Sequence, residues 1–395
     1  MVSIMSSRTS SPTSSMPPSP PLQPSLPQRV TSSLVMGLTA GLSRLFIYGL
    51  NSVEVTGLER FLDILDKRKD VDKRQRGLIT GEPLCKLILP FNVTHPASQR
   101  LMSSLTQSLT IFDDPIMWGV LPFAFHFNPS NHRWGLGAHD ICFKNAILNA
   151  FFSAGQVLPT YRLQHSPHGG LFQPTVSQAI KLLSSRPFLQ PGTSGKALVD
   201  ETSISGLPPI YTQNRHSWVH VFPEACVHQH PKVFMRYFKW GVSRMILESE
   251  PMPDVLPIFI DGTQHMMSEN REWPRFLPRF GFKFRVAFGE PVDTQKIFGD
   301  VRARWQELVR REQSKSQVPQ ALGELSEELK YGDEAVKLRI EVVRRVRDEV
   351  LKVRASLNYP DEEPREFELA ETWRREPGKD RFKSNVDDSL VNKRQ

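Results

Sequence analysis

Two adjacent carboxylates, Asp113 and Asp114, interrupt the apolar stretch IFDDPIMWGV at residues 111–120. A surface turn explains the pair simply, because Asp-Pro favours turns and a solvated charge costs little. The chemical alternative is that one carboxylate orients a general base for proton transfer. The pair is therefore a candidate catalytic position that needs a partner elsewhere in the chain.

Two later blocks end in charged residues of the kind that bind substrates. GQVLPTYR, residues 155–162, is an apolar strand that ends at Arg162, and HVFPEA, residues 220–225, is a strand ending in a turn that carries Glu224. An arginine at a strand end is usually just solvated, and a glutamate after proline is usually a turn residue. Each block alone is thus a weak motif, and the order of the blocks carries more.

That order resembles a known family. From about residue 33 to residue 298, the chain resembles the tafazzin family of the glycerol-phosphate acyltransferase superfamily. The blocks that carry the resemblance are, in chain order, DDPIMWGVLP, RWGLGAHDICF, GQVLPTYR, VHVFPEA, RYFKWGVSRMI and LPIFIDG. DDPxxWG and RWxxGAHDICF point to this family rather than to lysophosphatidic acid acyltransferases in general, and fungal members look most similar. The resemblance implies an α/β acyltransferase-like domain, with a mixed sheet flanked by helices and an N-terminal membrane anchor helix.

The resemblance also implies roles for five residues. It makes Asp113 the catalytic carboxylate and Arg162 a ligand for the substrate phosphate, to which a guanidinium presents a planar fork of donors. Phe222, Pro223 and Glu224 match a Phe-Pro-Glu-Gly block that shapes the acceptor site, although alanine replaces the glycine in this chain.

The family's general base is missing from its expected position. A His-x-x-x-x-Asp motif in this family ends at the residue matched by Asp113, and the histidine position is Ser108 here. None of the 11 histidines is followed five residues later by aspartate. The imidazole would accept the proton of the lysophospholipid hydroxyl, while the carboxylate holds its tautomer. A serine cannot act as this base at neutral pH, and losing a general base typically costs ~10²–10⁴ in rate.

Residues 81–112 form an anomalous insert in place of the motif. The family runs almost directly from a strand such as RGLIT into an Asn-His block, whereas here GEPLCKLILPFNVTHPASQRLMSSLTQSLTIF follows Thr80. Two explanations stay open: a wrongly assigned splice junction, or a real variant without the base. The transcript across codons 78–115 distinguishes them. His95 is the nearest replacement, but its Thr-His-Pro context and its distance from Asp113 argue against it.

Composition and charge limit the classes of partner. The formal charge of +8 is spread along the 395 residues, so we expect no nucleic acid partner and regard an anionic membrane as a natural one. The three cysteines form no paired framework, which indicates a reducing or disulfide-indifferent location. Cys226, His228 and His230 alternate, but no fourth ligand is evident. No metal and no other cofactor is expected.

The first 52 residues are expected to form a leader and an anchor. Residues 1–28 are mostly serine and proline, which predicts disorder. Residues 29–52 are expected to form a membrane-associated helix, whose apolar run LVMGLTAGLSRLFIYGL has one charge and three glycines. This run is at the lower limit for crossing a bilayer, so an anchor within one leaflet fits better. The alternative is a buried N-terminal helix.

The rest of the chain is expected to hold one domain and a tail. Residues 53–300 alternate between apolar strands and helical stretches, as α/β domains do, with a loop insertion at residues 186–217. Residues 301–358 form a charged helical tail, and residues 359–395 look disordered. Apolar residues in the tail recur every three or four positions, as on one side of a helix: Val336, Ile340, Val343, Val346, Val350 and Val353. This stripe is expected to pack on the domain, although a basic amphipathic helix could also lie on a membrane.

Three functions remain in competition. The first is a transacylase that moves acyl chains between phospholipids and lysophospholipids, with monolysocardiolipin as acceptor and cardiolipin as product. The family sits as a peripheral or monotopic protein on the mitochondrial outer or inner membrane, facing the intermembrane space. The second is a coenzyme A-dependent lysophospholipid acyltransferase. The third is a catalytically inactive, membrane-bound lipid-binding protein, which the absent histidine supports.

Overall fold

The computed structural model describes part of the chain. The described ranges are residues 26–83, 113–162, 166–185, 216–224, 233–266, 279–315, 322–361, 381–383 and 390–392. Side chains at residues 113–116, at position 264 and in the last two ranges are not described. The leader up to residue 25, nearly all of the insert and the loop insertion, and Ala225 to His230 lie outside the described residues.

Seven strands of the described residues form one sheet: β1 (Ser52–Thr56), β2 (Leu78–Gly81), β3 (Arg133–Ala138), β4 (Val157–Thr160), β5 (Trp218–Val221), β6 (Asp254–Asp261) and β7 (Lys283–Phe288). Their order across the sheet is β1-β7-β6-β2-β5-β3-β4. A separate antiparallel pair consists of β8 (Arg381–Lys383) and β9 (Leu390–Asn392).

Strand direction divides the sheet into two parts. β6, β2, β5, β3 and β4 all pair in parallel, whereas β7 pairs antiparallel with β6 and parallel with β1. Thr80 lies opposite His220 in the β2–β5 register, and Ala138 lies opposite Thr160 in the β3–β4 register. The carboxyl ends of the five parallel strands therefore meet at one edge of the sheet. The predicted mixed sheet is confirmed.

Helices cover both faces of the sheet. The helices are α1 (Leu26–Gly49), α2 (Leu58–Lys67), α3 (Asp113–Val120), α4 (His139–Cys142), α5 (Ala146–Ala154), α6 (Pro174–Leu183), α7 (Gly241–Glu248), α8 (Thr263–Met266), α9 (Thr294–Lys315), α10 (Glu327–Tyr331) and α11 (Asp333–Ser356). Successive strand residues point to opposite faces, so Trp218 packs with α1, α2 and α3, while Val219 packs with α6, α7, α9 and α11. The predicted arrangement of a sheet flanked by helices is confirmed.

Helix α1 is long and apolar enough to cross a membrane, by length and composition only. It begins at Leu26 and ends at Gly49, three residues earlier at each end than the predicted helix at 29–52. It cannot continue to residue 52, because Ser52 already pairs with Lys283 in the sheet. One side packs against α3, where the backbone of Gly119 approaches Ile47 and Ser43. Small and apolar residues form that buried side: Ser32, Met36, Ala40, Ser43 and Ile47.

Helix α11 packs on the sheet through a stripe that differs from the predicted one in its first half. Val336 and Ile340 are only half-buried, whereas Leu338 and Val342 are buried in the core. Val343, Val346, Val350 and Val353 are buried as expected. The same side of the helix also carries fully buried arginines, Arg339, Arg347 and Arg354, which a pattern based on polarity assigns to solvent.

Candidate active site

The parallel edge of the sheet gathers the sequence-predicted residues that follow β4 and β5. Arg162 comes two residues after β4, and Glu224 comes three residues after β5. The intervening strand, β3, continues directly into α4 at the same edge. Asp113 is the first residue of α3, but its side chain is not described. The family resemblance predicts that its carboxylate meets Arg162 and Glu224 in one cleft, and this stays a prediction.

Arg162 forms a two-point ion pair with Asp140 from α4. Its Nε donates to Asp140 Oδ1 at 3.0 Å, and its Nη2 donates to Oδ2. The two side chains are 21% and 28% exposed, so the pair is accessible to a polar ligand. A planar guanidinium held by two parallel hydrogen bonds has a fixed orientation. Asp140 lies inside the GAHDICF block, but the sequence alone did not indicate a role for it.

The remaining side chains of α4 fix the position of the ion pair. His139 stacks on the ring of Tyr161, with 4.6 Å between ring centroids, and on Phe143 at 6.0 Å. Cys142 is fully buried beneath the turn. The short helix is thus attached to the chain that follows β4 both by stacking and by the Asp140 carboxylate.

The carboxylate of Glu224 is buried and bonded to the backbone. Glu224 is 2% exposed, and its Oε1 accepts a hydrogen bond from the backbone N–H of Arg236 at 2.9 Å. The carbonyl of Pro223 accepts one from the N–H of Lys239 at 2.7 Å. Phe222 lies edge-on to the ring of His220, at 4.7 Å. The predicted Phe222-Pro223-Glu224 turn is therefore attached to residues 233–240, which lead into α7.

A chain of buried polar side chains, which no sequence motif indicated, lies beneath this edge. Trp218 Nε1 donates to Thr80 Oγ1 at 2.8 Å, and Thr80 Oγ1 is 2.8 Å from His220 Nδ1. An indole nitrogen can only donate, so the hydroxyl proton of Thr80 is available to His220 Nδ1. This places the imidazole proton on Nε2, which lies 3.5 Å from Glu82 Oε1.

Burial keeps the imidazole of His220 neutral. It lowers the pKa of His220 well below the ordinary value, and the nearby positive charge of Arg133 lowers it further. The alternation of β2 and β5 could have indicated that Thr80 and His220 share a face, but their pairing depends on the strand order. The chain of bonds fixes the carboxyl ends of β2 and β5 relative to each other.

A second buried group surrounds Trp118, which is part of the core. The guanidinium of Arg133 lies 4.2 Å from the centre of the Trp118 ring. His126 Nδ1 and His132 Nε2 are 3.1 Å apart. Burial lowers the pKa of His126 to about 4 and that of His132 well below its usual range. Both imidazoles are therefore neutral near pH 7 and serve as packing and hydrogen-bonding groups.

The positions considered for a base or a metal fall outside the described part of the chain. Ser108 and His95 lie in the insert, and Cys226, His228 and His230 lie in the segment after Glu224. Among the described residues, no group of three His, Cys, Asp or Glu side chains is arranged to hold a metal ion. The described part of the site thus consists of the partly exposed Arg162–Asp140 pair and the buried carboxylate of Glu224.

The buried imidazoles predict how stability depends on pH. The pKa of His126 is about 4 in the folded chain and about 6.5 when unfolded. Between these values only the unfolded chain binds the proton, so the free energy of unfolding should fall as pH falls. His126→Gln should make that fall shallower, as measured by urea unfolding from about pH 7.5 to about pH 5. Above pH 7 both forms are neutral, so the cost of the substitution there reports packing alone. An unchanged pH slope would contradict the assignment.

Comparison with known proteins identifies relatives along most of the chain. No protein-family profile matches it. It is 34% identical to tafazzin of Saccharomyces cerevisiae over 346 residues, which cover 86% of this chain and 81% of the relative. It is 26% identical to tafazzin of Drosophila melanogaster over 70% of this chain and 55% of the relative. It is 30% identical to N-acylphosphatidylethanolamine synthase of Arabidopsis thaliana over 48% of this chain and 55% of the relative.

A solved structure is also similar, at a greater distance. It is the 1-acyl-sn-glycerophosphate acyltransferase PlsC of Thermotoga maritima, with 12% identity and a TM-score of 0.35 over 74% of this chain and 82% of the other. That distant likeness carries no argument about this site. The yeast relative shows the family, because the match is 34% identical and covers 81% of that protein. The chain therefore belongs to the tafazzin family of phospholipid acyltransferases.

Proposed function

We propose that this chain moves a fatty acyl group from a phospholipid to a lysophospholipid at a membrane surface, with monolysocardiolipin as acceptor and cardiolipin as product. The observation that carries the proposal is the partly exposed Arg162–Asp140 pair at the parallel edge of the sheet, in a chain of this family. No coenzyme A, metal or other cofactor takes part. The protein works on the mitochondrial outer or inner membrane and faces the intermembrane space.

The reaction exchanges one ester bond for another. The hydroxyl oxygen of the acceptor attacks the ester carbonyl of the donor phospholipid and loses its proton to a general base. The carbonyl–oxygen bond of the donor then breaks, and the leaving alkoxide takes up a proton to become a lysophospholipid. Arg162 binds a headgroup phosphate, for which its planar donors are suited. Asp113 holds the base, and Phe222, Pro223 and Glu224 shape the acceptor site.

The missing base decides whether this chain is catalytically active. Ser108 stands where the family has its imidazole, so the chain is either read through a wrong splice junction or is a slow or inactive variant. A coenzyme A-dependent acyltransferase is the second candidate, since the same attacking hydroxyl could take an acyl group from a thioester. A lipid-binding protein without activity is the third.

A continuous apolar face favours association with a membrane. The outer side of α1 exposes Leu34, Leu38, Leu42 and Leu45. The rings of Phe127 and Phe123 lie over Gly37 and Gly41 of the same helix and remain about half exposed. α5 packs beside α1 and exposes Ile147 and Phe151. Large contiguous apolar surfaces of this kind mark interaction sites.

The packing of α1 favours an in-plane anchor over a crossing helix. Its inner side is buried against α3, and Arg44 donates to the carbonyls of Gly119 and Leu121 at 3.1 and 3.3 Å. A helix that crossed the bilayer would have to break these contacts and expose an arginine to lipid. We therefore propose that α1 lies in the interface, with its leucines towards the acyl chains.

The first experiment tests acyl transfer directly. Purified full-length chain is incubated with radiolabelled lysophospholipid and either a donor phospholipid or acyl-coenzyme A. We expect labelled diacyl product with the phospholipid donor and without coenzyme A. Replacing residues 81–112 by a tafazzin-like Asn-His-x-Ser segment before Asp113 should raise the rate by ~10²–10⁴, because the base is restored. Transfer from acyl-coenzyme A alone supports the second candidate, and no gain from the restored segment supports the third.

Arg162→Met should weaken phosphate recognition. A lost hydrogen bond to a charged group corresponds to a roughly 10-fold or greater loss of affinity. We expect that loss in kcat/KM, measured in the unaltered chain or in the chain with the replaced 81–112 segment, whichever is more active. We expect the same loss in the binding of a short-chain lysophospholipid, which calorimetry measures without turnover. Arg162→Lys should lose most of the affinity too, because an ammonium cannot form the two-point pair with Asp140. Arg310→Met, an exposed arginine on α9, is the matched control, and equal effects at both positions would reject the role of Arg162.

Removing leucines from the exposed side of α1 should weaken membrane binding. Leu38 and Leu42 are 66% and 60% exposed, so replacing both by asparagine should leave the fold intact. Each buried leucine contributes about 1.5–3 kcal/mol, so vesicle affinity should fall at least about tenfold. Sedimentation with cardiolipin-containing phosphatidylcholine vesicles measures this. Tyr331→Ser changes an exposed ring outside the face and should bind as the unaltered chain does, and no loss in the double variant would refute the in-plane anchor.

A further inference from the structure

The buried carboxylate of Glu224 depends on a segment that is itself held from far along the chain. Glu224 Oε1 accepts the backbone N–H of Arg236, and Pro223 accepts the N–H of Lys239. Residues 233–239 contain no helix or strand of their own. A segment of this kind keeps its shape only if its other backbone groups are bonded as well. Its partners on the other side come from α11, more than 100 residues later.

Two buried arginines of α11 bind the carbonyls of this segment. Arg347 Nη2 donates to the carbonyl of Met235 at 2.8 Å, and its Nε donates to that of Arg236 at 3.2 Å. Arg354 Nε donates to the carbonyl of Val233 at 3.0 Å, and its guanidinium lies 5.3 Å from the centre of the Phe234 ring. Both arginines are nearly completely buried.

One peptide unit joins Arg347 to Glu224. The carbonyl of Met235 and the N–H of Arg236 belong to the same planar amide. Its oxygen accepts from the guanidinium of Arg347, and its N–H donates to the carboxylate of Glu224. The two charges polarise this amide in the same sense, which strengthens both hydrogen bonds in a buried setting. Rotation of the amide would break both bonds, so the orientation of Glu224 is coupled to α11.

We propose that Arg347 is a positioning residue for the acceptor site, acting on Glu224 through the peptide unit between Met235 and Arg236. The proposal rests on the function proposed above for the turn that carries Glu224. It makes α11, which lies outside the sheet and its parallel edge, part of the machinery that selects the lysophospholipid. Arg354 supports the same segment one step further from Glu224.

The same helix offers a matched control. Arg339 is fully buried, and it donates to the carbonyls of Lys330 and Leu329. Its guanidinium also lies over the aromatic rings of Phe172 and Trp305. Arg339 therefore resembles Arg347 in burial and bonding but holds α10 instead of residues 233–236. A purely structural effect of losing a buried arginine should be similar at both positions.

The experiment compares Arg347→Lys, Arg347→Met and Arg339→Lys in the full-length chain. Exchange of the Arg236 amide hydrogen, followed by NMR or mass spectrometry, should be slow in the unaltered chain and at least about tenfold faster in the Arg347 variants. Arg339→Lys should leave it slow. The Arg347 variants are also assayed in the more active of two backgrounds, the unaltered chain or the chain with the replaced 81–112 segment. Their KM for the lysophospholipid should be about tenfold higher, while their KM for the donor phospholipid stays the same.

A double-variant cycle links the two charges. Once Glu224→Gln has removed the carboxylate, adding Arg347→Lys should cause little further rise in the acceptor KM. Additive effects, or equal changes in Arg347→Lys and Arg339→Lys, would overturn the positioning role. If no acyl transfer is found in any form, the proposed function fails on its own, and the exchange of the Arg236 amide still decides the coupling. Unchanged exchange in the Arg347 variants would reject it even where transfer is observed.

Discussion

The parallel pairing of β2, β3, β4, β5 and β6 is the constraint on which the candidate site depends. Parallel strands leave the sheet at the same edge, so residues that follow them are neighbours in space although they are distant in sequence. Arg162, Asp140 and Glu224 each follow a different strand by two or three residues. The antiparallel strand β7 and its neighbour β1 do not contribute to that edge. The candidate site residues therefore lie on the five-stranded part of the sheet where direction is uniform.

Buried arginines connect the layers that surround this sheet. Arg68 donates to the carbonyls of Arg76 and His216, and Arg302 donates to those of Ile246 and Ser249. Burial lowers the pKa of Arg68 to about 10, which still leaves its guanidinium charged near pH 7. A buried charge of this kind is tolerated because several carbonyl oxygens replace the lost water. The result is a set of directional contacts between elements that apolar packing alone would leave free to slide.

Helix α1 shows how one sequence pattern serves two environments. Its buried side consists of small and apolar residues that allow α3 to approach closely, and its other side exposes leucines. Gly37 and Gly41 leave room for the rings of Phe127 and Phe123, which therefore extend the exposed apolar face. The helix is bound to the domain and still presents a surface suited to lipid. That combination is what the proposed in-plane anchor requires.

Much of the fold followed from local pattern. The apolar strands predicted in GQVLPTYR and HVFPEA correspond to β4 and to the end of β5, because strand period and turn residues are properties of short segments. The order of the blocks indicated the family, which the comparisons confirm. The sequence was less informative about α11, where two of the six expected apolar positions, Val336 and Ile340, are only half-buried. Its buried arginines are satisfied by carbonyls of distant segments, which no local pattern contains.

What the sequence by itself determined is therefore the identity of the elements, the family and the absence of an imidazole at Ser108, since each depends on residue types at fixed spacing. Only the tertiary structure decided which side chains from different elements are in contact. Three such contacts join different strands or layers: Arg162 with Asp140, Thr80 with His220, and Glu224 with Arg347 through one peptide unit. They arise because hydrogen bonds depend on position and direction in space, which strand order and helix packing set.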